Sequence, residues 1–190
     1  MKIFLYGGTF DPVHNGHEKI IDKILHLCDK LLIIPTNKSP HKSSNPFASS
    51  EHRYAMLKLL FESNKKIDIL TYELDKKKPA FTYDTINFVK LKYNSSDLTF
   101  VVGYDLINTL SGWYNIDKII KDVEFMAFHR PDYDFIQKDD CNIRLIENFN
   151  EDISSSEIRN LINQGKYDMV KTMISKLIYD YILNKKLYKC

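Results

Sequence analysis

Cysteine is scarce in this sequence, and the three that occur, Cys28, Cys141 and Cys190, stand far apart with no CxxC pair. That spacing excludes a disulfide framework and fits a reducing cytosol. An excess of one charge is missing as well. A formal net charge of +2 gives no general attraction to nucleic acid or to a membrane surface. The lysine runs at Lys76, Lys77, Lys78 and at Lys185, Lys186 are short and read as solvated surface. No apolar run is long enough to span a bilayer, and the opening MKIFLYGGTFDP breaks at a glycine pair before it could form a signal-peptide core. Internal repeats and low-complexity tracts are absent, and no acidic cluster is dense enough to cage a metal. What remains predicts a soluble, cytoplasmic, single-domain protein over residues 1–190. Hydrophobic residues at 44% suffice for a core, and charged residues at 27% keep the surface wet.

The apolar pattern alternates between two periods. Residues 2–6 (KIFLY) form a short buried run ending at Gly7-Gly8, as a strand would. Ile20, Ile21, Ile24, Leu25 and Cys28 then fall at helical spacing, which predicts a helix from Asn15 to Asp29 with Asn15 and Glu18 as its capping box. Leu31 to Ile34 reads as a second buried strand stopped by Pro35, completing a βαβ unit. Further along, a helix is expected over Ser50 to Ser63 with Ala55, Met56, Leu59 and Leu60 inward. A strand is expected from Ile67 to Leu74, a helix from Tyr83 to Tyr93, and a strand from Leu98 to Val102 ending at Gly103. A short helix over Ile116 to Asp122 precedes strands at Glu124 to His129 and Ile143 to Glu147. From Ser154 to the end (154–190) the chain reads as helical, with one break near Gly165. Such alternation predicts an α/β fold, a doubly wound, mostly parallel sheet with a small C-terminal helical part. Thr36 to Ser49 is polar and long for a connection, a sign of a functional loop.

The segment Gly7-Gly8-Thr9-Phe10-Asp11-Pro12-Val13-His14-Asn15-Gly16-His17 carries the chemistry. It follows the first strand and opens the first helix, at the sheet edge where open α/β folds bind ligands. Glycines at 7 and 8 let a triphosphate approach the main chain, and the helix N-terminus offers N–H groups to a phosphate. His14 and His17 share the face of that first turn and can both donate to an α-phosphate. As a zinc site the pair lacks convincing further ligands, since Asp11 is too close in sequence. A second segment, Ile153-Ser154-Ser155-Ser156-Glu157-Ile158-Arg159, reads as a capping box whose hydroxyls and N–H groups suit phosphate, with Arg159 able to neutralise a leaving pyrophosphate.

Gly7 to His17 resembles the GGTFDPxHxGH segment of the HxGH nucleotidyltransferases, and within them the bacterial-type nicotinate-nucleotide adenylyltransferases. Ile153 to Arg159 resembles that family's ISSTxIR motif, with Ser156 in place of threonine. The resemblance extends from Lys2 to Tyr181-Ile182 and Leu187-Tyr188. It implies a Rossmann-like nucleotidyltransferase fold and an ATP site drawn from Gly7, Gly8, Thr9, Phe10, Gly103, Asp105, Arg130, Ile153, Ser154, Ser155 and Ser156. His14, His17 and Arg159 would be the catalytic groups. Pro35 to Lys42 resembles the family's PxxxxPHK loop, so Lys42, with Lys38 or His41 nearby, would hold an acceptor phosphate. Thr82-Tyr83-Asp84-Thr85 resembles its (S/T)YxT segment, a helix start that suits a carboxylate. Gly103-Tyr104-Asp105 followed by Trp113 resembles its GxDxLxxxxxW arrangement, with Asp105 on ribose and Trp113 stacked on a pyridine ring.

The chain departs from the family at Asp132, where glycine is usual after Arg130-Pro131, and at Ser175, where proline is usual; neither position carries chemistry. The implied reaction joins ATP and nicotinate mononucleotide, with Mg²⁺ held by phosphates and water rather than by a protein cage. Phosphopantetheine and nicotinamide mononucleotide are the alternative acceptors. A nucleotide sensor without turnover is the rival from another class. A homo-oligomer is compatible with all of these readings.

Overall fold

A computed structural model describes residues 1–37, 45–76, 80–95, 97–129, 141–146, 149 and 152–189. Lys38, His41, Lys42, Arg130 and Asp132 lie outside the described residues. Six strands, β1 (Ile3–Gly8), β2 (Lys30–Pro35), β3 (Ile67–Ile69), β4 (Leu98–Gly103), β5 (Glu124–Phe128) and β6 (Ile143–Ile146), form one sheet in the order β3-β2-β1-β4-β5-β6. Every pairing is parallel, with Leu5 of β1 opposite Leu32 of β2 and Phe100 of β4. The expected doubly wound sheet is therefore present.

Alternation along each strand divides the core in two. Phe4 and Tyr6 of β1 and Leu31 and Ile33 of β2 face one cluster, shared with α1 (Asn15–Ile24), α2 (Ser50–Phe61), α6 (Ser155–Asn163), α7 (Tyr167–Met173) and α8 (Lys176–Asn184). Ile3 and Leu5, with Leu32 and Ile34, face the other, under α3 (Thr82–Tyr93), α4 (Tyr104–Ile107) and α5 (Ile116–Asp122). A parallel sheet covered on both faces needs apolar side chains on both, which is why these strands read as unbroken hydrophobic runs. Among the described residues no helix is long and apolar enough to cross a membrane.

Several boundaries differ from the sequence pattern for identifiable reasons. The first helix ends at Ile24 and continues as a 3-10 turn over Leu25–Leu27, short of the expected Asp29. The strand expected to reach Leu74 stops at Ile69, because the Thr71 hydroxyl donates to Asp75 Oδ2 at 3.0 Å and the Asp75 N–H to the Thr71 carbonyl at 3.0 Å. That local turn competes with the ladder. In α2 the inward face carries Arg53, Met56, Leu57 and Phe61, while Leu59 is 45% exposed. The helix is rotated from expectation because Arg53 is buried on carbonyl acceptors, donating from Nη1 to the main-chain oxygens of Thr9 and Thr36, both at 2.7 Å. The C-terminal helices break at Gly165, as expected, and again before Ser175, whose hydroxyl caps α8.

The rotated α2 face is testable by urea unfolding. Leu57→Ala is expected to cost about 2–5 kcal/mol and Leu59→Ala less than about 0.5 kcal/mol. The reverse order would restore the sequence-based face.

Candidate active site

Parallel strands on either side of β1 send their following segments in opposite directions, and a crevice opens at their C-terminal ends. Here it is a cavity of about 290 Å³, walled by the turn after β1, the ends of β4 and β5 and the start of α6. His14 and His17 line it. The structure gives these residues a second task that the sequence reading assigned to Asn15 and Glu18. His14 is the N-cap of α1, and its main-chain N–H donates to Nδ1 of His17 at 3.2 Å. An Nδ1 that accepts is unprotonated, so in the neutral ring of His17 the proton resides on Nε2. The two rings sit 3.7 Å apart by centroid, and His17 also packs on Phe10 at 4.9 Å. Gly16 leaves room beside the pair: a Cβ there would lie 3.1 Å from Cε1 and Nδ1 of His14 and press on that ring.

Gly7 and Gly8 line the cavity, as do Thr9 and Phe10. At Gly8 the missing side chain serves the protein first. A Cβ there would lie 2.9 Å from Cζ of Phe10. Phe10 is buried with φ at +50° and fills that space with its ring. On the opposite wall Ser154, Ser155, Ser156 and Arg159 all line the cavity, whereas Ile153 stands behind it against Gly16. Ser154 caps α6 by accepting from the Glu157 N–H at 3.1 Å, and the Ser155 hydroxyl donates to the Pro12 carbonyl at 2.9 Å. Arg159 donates to the Asp11 carbonyl at 2.6 Å and to Ser156 Oγ at 2.9 Å, and its guanidinium lies 4.5 Å from the ring centre of the exposed Phe47. Gly103, Asp105, Thr82 and Trp113 line the far end; Tyr83 does not, packing instead edge-on to Tyr114 at 6.1 Å. Trp113 is 8% exposed and edge-on to Phe100 at 6.1 Å, so it is part of the core as well as of the cavity wall.

A family model described as cytidylyltransferase-like matches residues 5–161. A probable nicotinate-nucleotide adenylyltransferase of Hydrogenobaculum sp. is 36% identical over 99% of this chain and 98% of its own length. One from Aliarcobacter butzleri is 36% identical over 97% and 96%. The chain belongs to the nicotinate-nucleotide adenylyltransferase family. Among solved structures, the nicotinic acid mononucleotide adenylyltransferase of Plasmodium falciparum complexed with NaAD superposes with a TM-score of 0.80 at 26% identity, covering 98% of this chain and 97% of that one. The same protein complexed with APC gives 0.78 at 25% identity, over 98% and 96%.

Sequence reasoning gave no role at this adenylyltransferase-family site to Asp11 and Glu73, which line the cavity, or to Arg53, which bonds to Thr9 and Thr36 of its wall. Asp11, 2% exposed, accepts from the N–H groups of Phe47 and Ala48 at 2.7 and 3.1 Å and from the Tyr188 hydroxyl at 2.8 Å. Arg53, described above, holds the carbonyls of Thr9 and Thr36 together. Glu73 reads as a strand residue in sequence, yet the turn at Thr71 swings it into the cavity wall, where Thr85 donates to its Oε1 at 2.8 Å. Only the position of Asp11 inside the motif was a usable signal.

Burial pushes the Glu73 carboxyl up to about 7 from its ordinary 4.5, partly offset by the Thr85 hydrogen bond and by Lys76. The unfolded chain therefore ionises Glu73 first, and the folded state is penalised progressively between those two values and fully above the higher one. Glu73→Gln keeps the Thr85 bond and removes the penalty. Its stability gain over the parent in denaturant titrations is expected to be near zero at about pH 4 and on the order of 2 kcal/mol at about pH 8.5. A gain independent of pH would contradict this assignment.

Proposed function

We propose that this protein transfers the adenylyl group of ATP to nicotinate mononucleotide, giving nicotinate adenine dinucleotide and pyrophosphate for NAD biosynthesis. One observation carries the reading: a histidine pair at the start of α1 faces the capped N-terminus of α6 and Arg159 across a single cavity. The acceptor's 5′-phosphate is a nucleophile at neutral pH, so no general base and no covalent enzyme intermediate are needed. Catalysis then consists of alignment and charge stabilisation.

In this scheme the triphosphate lies between the turn after β1 and the start of α6. The acceptor phosphate attacks the α-phosphorus of ATP in line; the new P–O bond forms as the bond to the β-phosphate oxygen breaks. His14 and His17 donate to the α-phosphate oxygens, with the tautomer of His17 already set by its Nδ1 bond. Arg159 and the N–H groups opening α6 take up the charge of departing pyrophosphate. Asp105 accepts from ribose, and Trp113 supplies an apolar wall for the pyridine ring. The N-terminus of α3 at Thr82 favours a carboxylate there. Glu73 lines the same cavity, and burial pushes its carboxyl up to about 7, which lowers the opposing charge it carries relative to an ordinary glutamate. Lys42 and Arg130 remain candidates for the acceptor phosphate and for ATP.

Among the described residues no group of three or more His, Cys, Asp or Glu side chains could hold a metal ion, and the Asp11 carboxylate is already taken by three donors. These residues fit Mg²⁺ brought in on the triphosphate and held by phosphate and water, where it would offset charge on the leaving group. The reading places the protein in the cytoplasm, with small molecules rather than nucleic acid or membrane as partners.

Incubation with ATP, Mg²⁺ and either nicotinate or nicotinamide mononucleotide, followed by chromatography, is expected to give the dinucleotide faster from the acid. A faster reaction with the amide would overturn the acceptor assignment, and nucleotide binding without pyrophosphate release would leave a sensor. His17→Ala is expected to lower turnover at least about a hundredfold with the fold intact; near-parental turnover would remove His17 from the scheme.

A further inference from the structure

The last residues of the chain do more than close the C-terminal helices. After α8 the backbone bends twice, with φ of +52° at Lys186 and +63° at Tyr188. Residues with side chains enter this region only when surrounding contacts hold them there. The bends carry the Tyr188 ring onto the core formed with α1 and α2 and bring its hydroxyl to Asp11 Oδ1 at 2.8 Å, across 177 positions of sequence. Burial and the Asp11 charge push the phenol far above its ordinary range, so it stays a donor.

An ionised carboxylate has room for about four donors. Asp11 receives the Phe47 and Ala48 N–H groups and the Tyr188 hydroxyl, and Arg159 stands just outside, with Nη1 at 4.0 Å from Oδ2. Arg159 instead gives its short bonds to the Asp11 carbonyl and to Ser156. Without the phenol, a carboxylate that is 3% exposed would lack a donor, and the adjacent guanidinium is the strongest replacement, because a charge-assisted pair gains most where water is excluded. Arg53 also bears on Asp11 by charge, but its Nη1 is committed to the carbonyls of Thr9 and Thr36, whereas Arg159 Nη1 already stands 4.0 Å from Oδ2.

We propose that Tyr188 is a positioning residue for adenylyl transfer: by satisfying Asp11 it keeps Arg159 from collapsing onto that carboxylate and leaves the guanidinium for the pyrophosphate end of ATP. This rests on the role given to Arg159 above.

The test is a double-mutant cycle of Tyr188→Phe and Arg159→Ala in the full chain. Tyr188→Phe keeps the ring and removes the donor. It is expected to lower kcat/KM for ATP about fivefold or more, with acceptor affinity by calorimetry within about twofold and the thermal midpoint within about 3 °C. In the Arg159→Ala background the same change is expected to alter kcat/KM for ATP by less than about 1.5-fold. An unchanged kcat/KM in Tyr188→Phe, or an equal loss in both backgrounds, overturns the inference. If Arg159→Ala itself still impairs ATP use in those cases, the reading of the site stands and only the tail's role fails. Should Arg159→Ala leave ATP use intact, the assignment of Arg159 fails and takes this inference with it.

Discussion

Burying an ionised carboxylate costs several kcal/mol unless donors surround it, and the active-site region is organised around meeting that demand at Asp11. The donors come from distant parts of the chain. Phe47 and Ala48 precede α2 and Tyr188 lies in the C-terminal tail, while Arg159 of α6 stops short of the carboxylate, with Nη1 4.0 Å from Oδ2. The Phe47 and Ala48 contacts fix the segment before α2 that borders the cavity, and the Tyr188 contact ties the C-terminal tail to the turn after β1. Arg159 and Ser155 in turn bond to the carbonyls of Asp11 and Pro12, so the turn after β1 and the start of α6 are joined directly. The two walls of the proposed triphosphate site are thus one connected unit.

The histidines show how structural and chemical demands meet in the same side chains. A helix start leaves main-chain N–H groups without intrahelical partners, and a serine or aspartate usually caps it. Here the ring of His17 accepts from the N–H of His14 instead. That bond fixes which nitrogen carries the proton before any ligand arrives, and it limits rotation of the ring. Gly16 keeps the space beside His14 clear. Both effects reduce the reorganisation required at the moment of reaction, which suits chemistry that depends on alignment.

The parallel sheet was legible because β1, β2 and β4 are buried on both faces and leave unbroken apolar runs. The turn after β1 was legible because its residues cluster within one short segment. Contacts between distant segments left no such trace. Glu73 looks like a strand residue until the Thr71–Asp75 turn ends β3 early, and nothing near Arg53 in sequence announces the carbonyls that bury it. Its burial selects the face of Met56, Leu57 and Phe61 and exposes Leu59, which the sequence pattern placed inside. Tyr188 is separated from Asp11 by nearly the whole chain. Sequence periodicity reports on the face an element buries against the core, and Glu73, Arg53 and Tyr188 answer to polar partners elsewhere.

A crystal structure of the protein with a non-hydrolysable ATP analogue tests the account most directly. It should place the α-phosphate within about 3.5 Å of a ring nitrogen of His14 or His17, with the outer phosphates against Arg159 and the first turn of α6. A triphosphate bound away from both histidines, or reached only after the contacts of Asp11 had broken, would contradict it.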